Sequence, residues 1–576
     1  MIAATGAGVD ENGDDVLYFS CAQPGSHLFL LQANPRTGAS RQWPAPVGEG
    51  AWALAVAPDK RVYLGTWESG YLLRFDPKHP EKGLESLGKP SQSESYIWQL
   101  AFGDDGKLYG CTYPSAKLVR YDPATGKSED LGRLDPHEMY SRWIASSTNG
   151  NLYISIGTVH AQIVRFNPRT GESKPMWKEN ERPAGIPTVF RSTDGRVYAS
   201  AANGSFLCDG DELKAVKELP ARALPTLRDG SMLSEATVER GAIQYQLKHP
   251  NGVLEKKSAK FEGTGVKLFV VGSGPGGRIF GSTALPLEMF DFTPGTRELR
   301  DLGNPTDVGG EIYSFATDAE QLYICAYPNS FLSVYEPAKT WHYGKTKDSN
   351  PRGIGPMGIG HLRPRAMVVG ADHRVYVGSL APYGQTGGAM GIYDPQQNKV
   401  TENYPHLITN QGISALCFDA GSKLLFGGSC IEPGGGATPL ASQCALFAWD
   451  VKAQKKVWEK VIVPGDRNTA AMTAANGSIF AVTTPSSTLM VIDPKTFRVV
   501  SQTKIPFGHL HEISMVYYAP HKKIYGLAGQ TIFSVNPETF AMTEVARCPA
   551  PIGCGFAVTE TGVYFGSGAE LWRWKW

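Results

Sequence analysis

The chain repeats itself. YGCTYPSAKLVRYDPATG begins at Tyr109, and YICAYPNSFLSVYEPAKT, nearly a paraphrase, begins at Tyr323. Further copies centre on RVYLGTWESGYLLRFDP (61–77), NLYISIGTVHAQIVRFNP (151–168), RVYVGSLAPYGQTGGAMGIYDP (374–395), SIFAVTTPSSTLMVIDP (478–494) and KIYGLAGQTIFSVNP (523–537). Each unit reads as an apolar strand, a D-G turn, a strand beginning (K/R)-(L/V)-Y, a short loop and a strand ending in (Y/F)-(D/N)-P before a last strand. The copies recur at about 40–50 residues, the period of four-stranded propeller blades. Their strands alternate apolar and polar residues and favour Val, Ile, Tyr and Phe. The fold class expected is therefore all-β.

About thirteen hairpins of this kind can be counted, including weak ones near 196–207 and 242–260. One ring rarely holds more than about eight blades, so tandem β-propellers are expected, with about six four-stranded blades and then seven. The boundary belongs near residue 265, after the degenerate stretch 218–265, giving domains 1–265 and 266–576. The C-terminal segment GVYFGSGAELWRWKW stops after a third strand, so one blade is expected to borrow a strand to close its ring.

Lys+Arg number 56 against Asp+Glu 55, a balance that gives no long-range attraction for nucleic acid or an anionic membrane. No apolar run approaches the roughly 18–20 residues needed to span a bilayer, so no membrane insertion is expected. MIAATGAGVDENGDD carries no secretory signal pattern, and a periplasmic or secreted location is expected only if a leader has been trimmed. The nine cysteines show no metal-site spacing. Cys430/Cys444 and Cys548/Cys554 are candidate disulfides, with free buried thiols the alternative.

In a propeller, the loops leading into the innermost strands and the loops between second and third strands gather on one face. In the first half those positions hold Trp52, Trp67, Glu68, Tyr96, Trp98, Tyr113, His137, Tyr140, Arg142, Trp143 and His160. Such an aromatic funnel suits sugar rings, whose C–H faces stack while their hydroxyls bond at the edge. Trp67, Tyr96, Tyr113, Tyr140, Arg142 and His160 are the substrate-binding candidates there, and packing between blades is the competing role for Trp98 and Trp143.

The second half is more polar. It offers Glu311, Tyr313, His361, Arg363, Arg365, Asn410, Gln411, Arg467, Asn468, His509, His511 and Glu512, with Tyr383, Gln385 and Glu432 on long glycine-rich loops. The arginines suit a carboxylate or sulfate. Arg365 and Asn468 are taken as substrate-binding. His509-Leu510-His511 alternates on extended backbone, so both imidazoles should point one way and, with His361, could bind one divalent metal ion (Mn, Ca or Zn); a histidine hydrogen-bonded in the channel wall, or a His⁺ paired with Glu512, is the alternative.

The blade pattern resembles the bacterial Kelch-, NHL- and quinoprotein-like propellers over essentially the whole chain. The second half is similar to oligogalacturonate lyase, a seven-bladed propeller whose His-x-His and further His hold a divalent metal while arginines hold the uronate. The resemblance assigns His361, His509 and His511 to the metal and Arg363 or Arg467 to the carboxylate. That family is a single propeller, and the Gln expected shortly before its first His is Pro506 here. Propeller rhamnose–glucuronate lyases and rhamnosidases use a single His, a role open to His160 or His361.

Sialidase-type Ser-x-Asp-x-Gly-x-Thr-Trp repeats are absent from the sequence, and no carboxylate pair among Glu68, Glu311, Glu432 and Glu512 is favoured for a glycosidase. The leading expectation is a polysaccharide or oligosaccharide lyase acting on uronic-acid-containing glycans by β-elimination, with His361, His509, His511, Tyr383, Arg363 and Arg467 as its catalytic set. The partner expected is an acidic polysaccharide or oligosaccharide. A non-catalytic glycan- or protein-binding scaffold is the alternative, and a glycoside hydrolase the third reading.

Overall fold

A computed structural model describes residues 1–239 and 241–576. The chain is all-β, with no α-helix among the described residues, and folds as tandem propellers. It divides into two compact units, Met1–Gly265 and Val266–Trp576.

The repeated motif has a physical reason, plainest in three blades. There the Asp of the turn before the second strand accepts a hydrogen bond from the Tyr hydroxyl four residues on, at 2.9 Å for Asp105–Tyr109, 3.0 Å for Asp194–Tyr198 and 2.8 Å for Asp372–Tyr376. The ring of that Tyr fills the space between neighbouring blades and its hydroxyl is satisfied, as burial demands. The (D/N)-P turn works alike. Asp76, Asp122, Asn167, Asp394, Asp493 and Asn536 each accept the backbone N–H two residues on, at 2.8–3.0 Å. Pro then fixes the next torsion and the chain reverses into the outermost strand.

The first unit is a ring of six antiparallel blades. Its innermost strands are Ile2–Val9, Ala53–Val56, Tyr96–Phe102, Tyr140–Ser146, Thr188–Arg191 and Met232–Glu239. Five blades have four strands; the sixth, from the degenerate stretch, has three. The second unit is a ring of seven, with innermost strands Leu268–Ser273, Ile312–Asp318, Arg363–Val369, Gly412–Asp419, Asn468–Ala475, Leu510–Tyr518 and Cys554–Thr559. Its seventh blade is also three-stranded.

The expected strand exchange does not occur. Among the described residues every blade takes its strands from consecutive sequence, and each ring closes by side-chain packing between its last and first blades, joined in the second by a Leu268 N–H to Gly568 carbonyl bond at 2.8 Å. In the first ring Leu233, Ile243, Tyr245 and Leu247 pack on Leu17, Phe19 and Leu31. In the second, Cys554, Ala557 and Tyr564 pack on Val271 and Ile279. Apolar burial across a seam of fully buried residues substitutes for a shared ladder.

Candidate functional site

Both loop families that define the upper face of the second ring converge on Arg363, at the head of the third blade's innermost strand. Its guanidinium carbon lies 5.1 Å from the Tyr327 ring centre and 5.3 Å from that of Tyr383, and its Nη2 donates to the Tyr383 hydroxyl at 3.2 Å. The Tyr327 and Tyr383 hydroxyls are hydrogen-bonded at 2.9 Å. Tyr313 flanks the same guanidinium and is itself propped edge-on by Phe269, 4.8 Å away. Burial, and after it neighbouring charge, raises the Tyr313 and Tyr327 hydroxyls above the usual phenol range, so both stay protonated. Among the described residues no carboxylate ion-pairs with Arg363. Its positive charge is held by ring faces and phenols.

Arg365, two residues along, is engaged differently. It lines a narrow cavity of about 60 Å³ at the hub, with Ser414, Ala470, Met472 and Met515. Its guanidinium ion-pairs with Glu512 of the sixth blade, and Glu432 of the fourth lies 3.9 Å away. Two of the four carboxylates considered for a glycosidase thus share one arginine. Arg467 is exposed at the head of the fifth blade, with its backbone bonded to Thr484 and Ile431. Beside it the Asn468 side-chain oxygen is buried without a partner.

The three histidines do not form one donor set. His361 is 2% exposed and turned into the wall, its Nδ1 on Ser379 Oγ at 2.6 Å and its Nε2 on Asn403 Oδ1 at 3.2 Å. His509 bonds Ser487 of the preceding blade at 3.2 Å, while His511 Nε2 bonds the Gly529 carbonyl at 2.8 Å. Among the described residues no three His, Cys, Asp or Glu side chains are arranged to hold a metal ion. With both His361 nitrogens engaged, these residues do not fit the expected centre.

Burial lowers the His361 pKa from 6.5 to about 4. The folded state therefore keeps this imidazole neutral while the unfolded chain protonates it below pH 6.5. Stability contributed above that value is lost as pH falls toward 4, by up to about 3 kcal/mol. Denaturant titrations at neutral and acidic pH should show this slope in the wild type and a flatter one in His361→Gln. Equal slopes would refute the assignment.

In the first ring the aromatic residues do gather, but on one another. Trp52 and Trp98 stack at 4.8 Å and 10°, and Trp67 covers Trp52 at 4.1 Å. Arg142 lies over Trp98 at 3.9 Å. Tyr96 stacks on Trp98 at 4.9 Å, and Tyr113 meets Tyr140 at 4.5 Å. Trp52 and Trp98 are thus each packed against at least two protein groups, the role weighed for Trp98. His160 is exposed, its Nδ1 3.6 Å from the buried Glu138 carboxylate.

Glu138 belongs to a device the sequence reading missed. A buried carboxylate just before the innermost strand caps the second-to-third-strand hairpin of its own blade. Glu138 accepts the Val159 and His160 amides; Glu94 accepts Thr112 and Ser115; Asp466 accepts Thr483 and Ser486. These bonds fix the height of the hairpins that shape the face. Tyr327 was missed too, although it occupies the place of Tyr113 in the repeated phrase that opens this section of the sequence.

The candidate disulfides are not formed: all nine cysteines are free and buried. Burial raises Cys430 to about 11 and Cys444 to about 12, so neither is a thiolate near neutrality. A thiol reagent should titrate nine groups in denaturant and essentially none in the native protein. Fewer than nine in unreduced, denatured protein would reveal a bridge.

No protein-family model matches the chain, and no curated protein matches its sequence. Among solved structures it is similar to the extracellular domain of BT4673 from B. thetaiotaomicron, at 12% identity and a TM-score of 0.37, covering 99% of this chain and 80% of that one. The extracellular domain of BT3049 from the same organism matches at 13% and 0.37, covering 96% and 73%. PorZ, a bacterial surface component of the type-IX secretion system of Porphyromonas gingivalis, matches at 10% and 0.40, covering 100% and 85%.

Proposed function

We propose that the second ring binds an acidic glycan, with Arg363 receiving the carboxylate of a uronic acid and the hydroxyls of Tyr313, Tyr327 and Tyr383 bonding its sugar hydroxyls. One observation carries the reading: a guanidinium at a hub position, caged by three phenol rings and ion-paired to no carboxylate among the described residues. A planar fork of donors matches a carboxylate in a way an ammonium does not. Arg467 and Asn468 on the fifth blade extend the same face. The reading goes with a periplasmic or secreted location, where such polymers occur.

Affinity electrophoresis through gels containing polygalacturonate, alginate or a neutral glucan tests it. Retardation by at least one acidic polymer and not by the neutral one is expected. Equal mobility in all gels overturns it.

The hydrogen-bonded Tyr327–Tyr383–Arg363 set favours β-elimination as a second reading. There Arg363 would draw charge from the carboxylate and acidify the neighbouring C–H. Tyr383 would take that proton while passing its own hydroxyl proton along the hydrogen bond to Tyr327, and Tyr327 would give its proton to the departing glycosidic oxygen as the C–O bond breaks and the C=C bond forms. Ultraviolet absorbance of the unsaturated product should then rise on the same polymers and fail to rise with Tyr383→Phe. A flat trace with the wild type leaves binding as the function.

A further inference from the structure

The two three-stranded blades treat their open edges differently. In the first ring the edge strand Leu254–Lys260 is covered by the first blade's outer hairpin. Ser40 donates to the Lys260 carbonyl at 2.6 Å, Lys257 to the Arg36 carbonyl at 2.8 Å, and Gln42 exchanges two bonds with the Glu262 backbone. In the second ring the edge strand Glu570–Trp574 pairs with Gly562–Ser567 alone. No described residue pairs with its other side, so alternate N–H and C=O groups along five residues face outward.

Beside that edge lies a cavity of about 700 Å³. Its floor is Phe292 and Leu299 of the first blade with Tyr564 and Leu571 of the seventh, and Arg297 and Arg573 stand at its rim. Leu299 is 62% exposed although it sits on a strand, an apolar side chain with nothing over it. The one acid in the lining, Glu570, is bonded to the Trp572 indole N–H at 2.9 Å. Among the described residues the other six blades of this ring have four strands, and the cavity borders the open third strand of the seventh.

We infer that this edge and cavity form a strand-addition site for an extended acidic peptide of a partner protein. The peptide pairs antiparallel with 570–574, continuing the blade's alternation. The side chains it turns toward the first blade are of both kinds, apolar ones in the middle over Leu299 and Phe292 and acidic ones at the ends toward Arg297 and Arg573. Main-chain bonds supply affinity and the pocket supplies selectivity, as in other strand-addition complexes. The inference is independent of the glycan site.

The test is fluorescence anisotropy of labelled synthetic peptides on the full chain. Saturable binding of ETVTVTE, whose alternate positions carry Glu, Val, Val and Glu on one face, is expected, with KTVTVTK weaker by at least about tenfold. Leu299→Asp and Arg297→Glu alter exposed side chains and should each weaken ETVTVTE by a similar factor. Unsaturable binding, no preference between the peptides, or indifference to both substitutions overturns the proposal. So does sedimentation showing a dimer that Leu299→Asp dissociates, because the edge would then pair with a second copy of this chain.

Discussion

Arg363→Met is expected to weaken the proposed acidic-glycan binding by about 2–4 kcal/mol, roughly 30- to 1,000-fold, the size expected for removing one partner of a desolvated, hydrogen-bonded charge pair. Methionine keeps the length and apolar volume that fill the space between Tyr327 and Tyr383, so the fold should report little change. Arg363→Lys recovers only part of the loss. A compact ammonium can sit over one ring but cannot fork onto a carboxylate while donating to Tyr383. The salt dependence should be shallow, because the group is half-buried and screened less than a surface charge. Titration of the tightest acidic polymer by calorimetry reads the wild type and both variants. A Met variant that binds within a factor of about three of wild type removes Arg363 from the site and the functional reading with it.

Why the position of Arg363 was legible in the sequence, and the direction of the His361 side chain was not, has a single physical cause. A blade repeat tells which residues stand at the heads of the innermost strands, because turn chemistry fixes strand ends. Asp105, Asp194 and Asp372 hold both the turn and the Tyr hydroxyl, so those positions declare themselves. Arg363, Arg365, Tyr383, Glu432 and Glu512 follow by counting; Arg363 meets Tyr383, and Arg365 meets Glu512 and Glu432. Counting does not give side-chain direction where alternation breaks. The ladder is irregular between Arg363 and Ala366 and again between Leu510 and Met515, where Ile513 has φ +58°. Around those irregularities His361 points into the wall, and His509 and His511 seek partners on different blades.

The first ring teaches the complementary lesson. Aromatic residues at Trp52, Trp67, Tyr96 and Trp98 were legible as a group, but whether a ring face is free is a matter of a few ångströms between side chains. At 4.1–4.9 Å these rings use one another as partners. Nothing in the spacing of the residues distinguishes that from an open platform. The capping carboxylates Glu94 and Glu138 were illegible for a related reason: an acid before a strand looks solvated until its hairpin partner, some twenty residues on, is placed against it.

Phe19→Ala should cost about 3–5 kcal/mol, a large share of the stability of a single ring. Phe19 is fully buried and packs at 5.9 Å against Tyr245, across the seam where the sixth blade meets the first. No strand crosses that seam, so the ring is held shut there by apolar contact and by the Ser40, Lys257 and Gln42 bonds on its outer edge. Ile243, on the other side of the seam, is fully buried as well. Once Phe19→Ala has opened the seam, Ile243→Ala has less left to break. The double variant should therefore fall short of the sum of the singles by about 0.5–3 kcal/mol. A control pairing of Phe19→Ala with Leu489→Ala in the second ring's core should be additive. Hydrogen exchange of first-ring amides separates the two units where a global melt would not. Additivity of Phe19 with Ile243 would mean that the two blades do not support each other, and that closure by packing is the wrong account of how a ring with no shared strand stays closed.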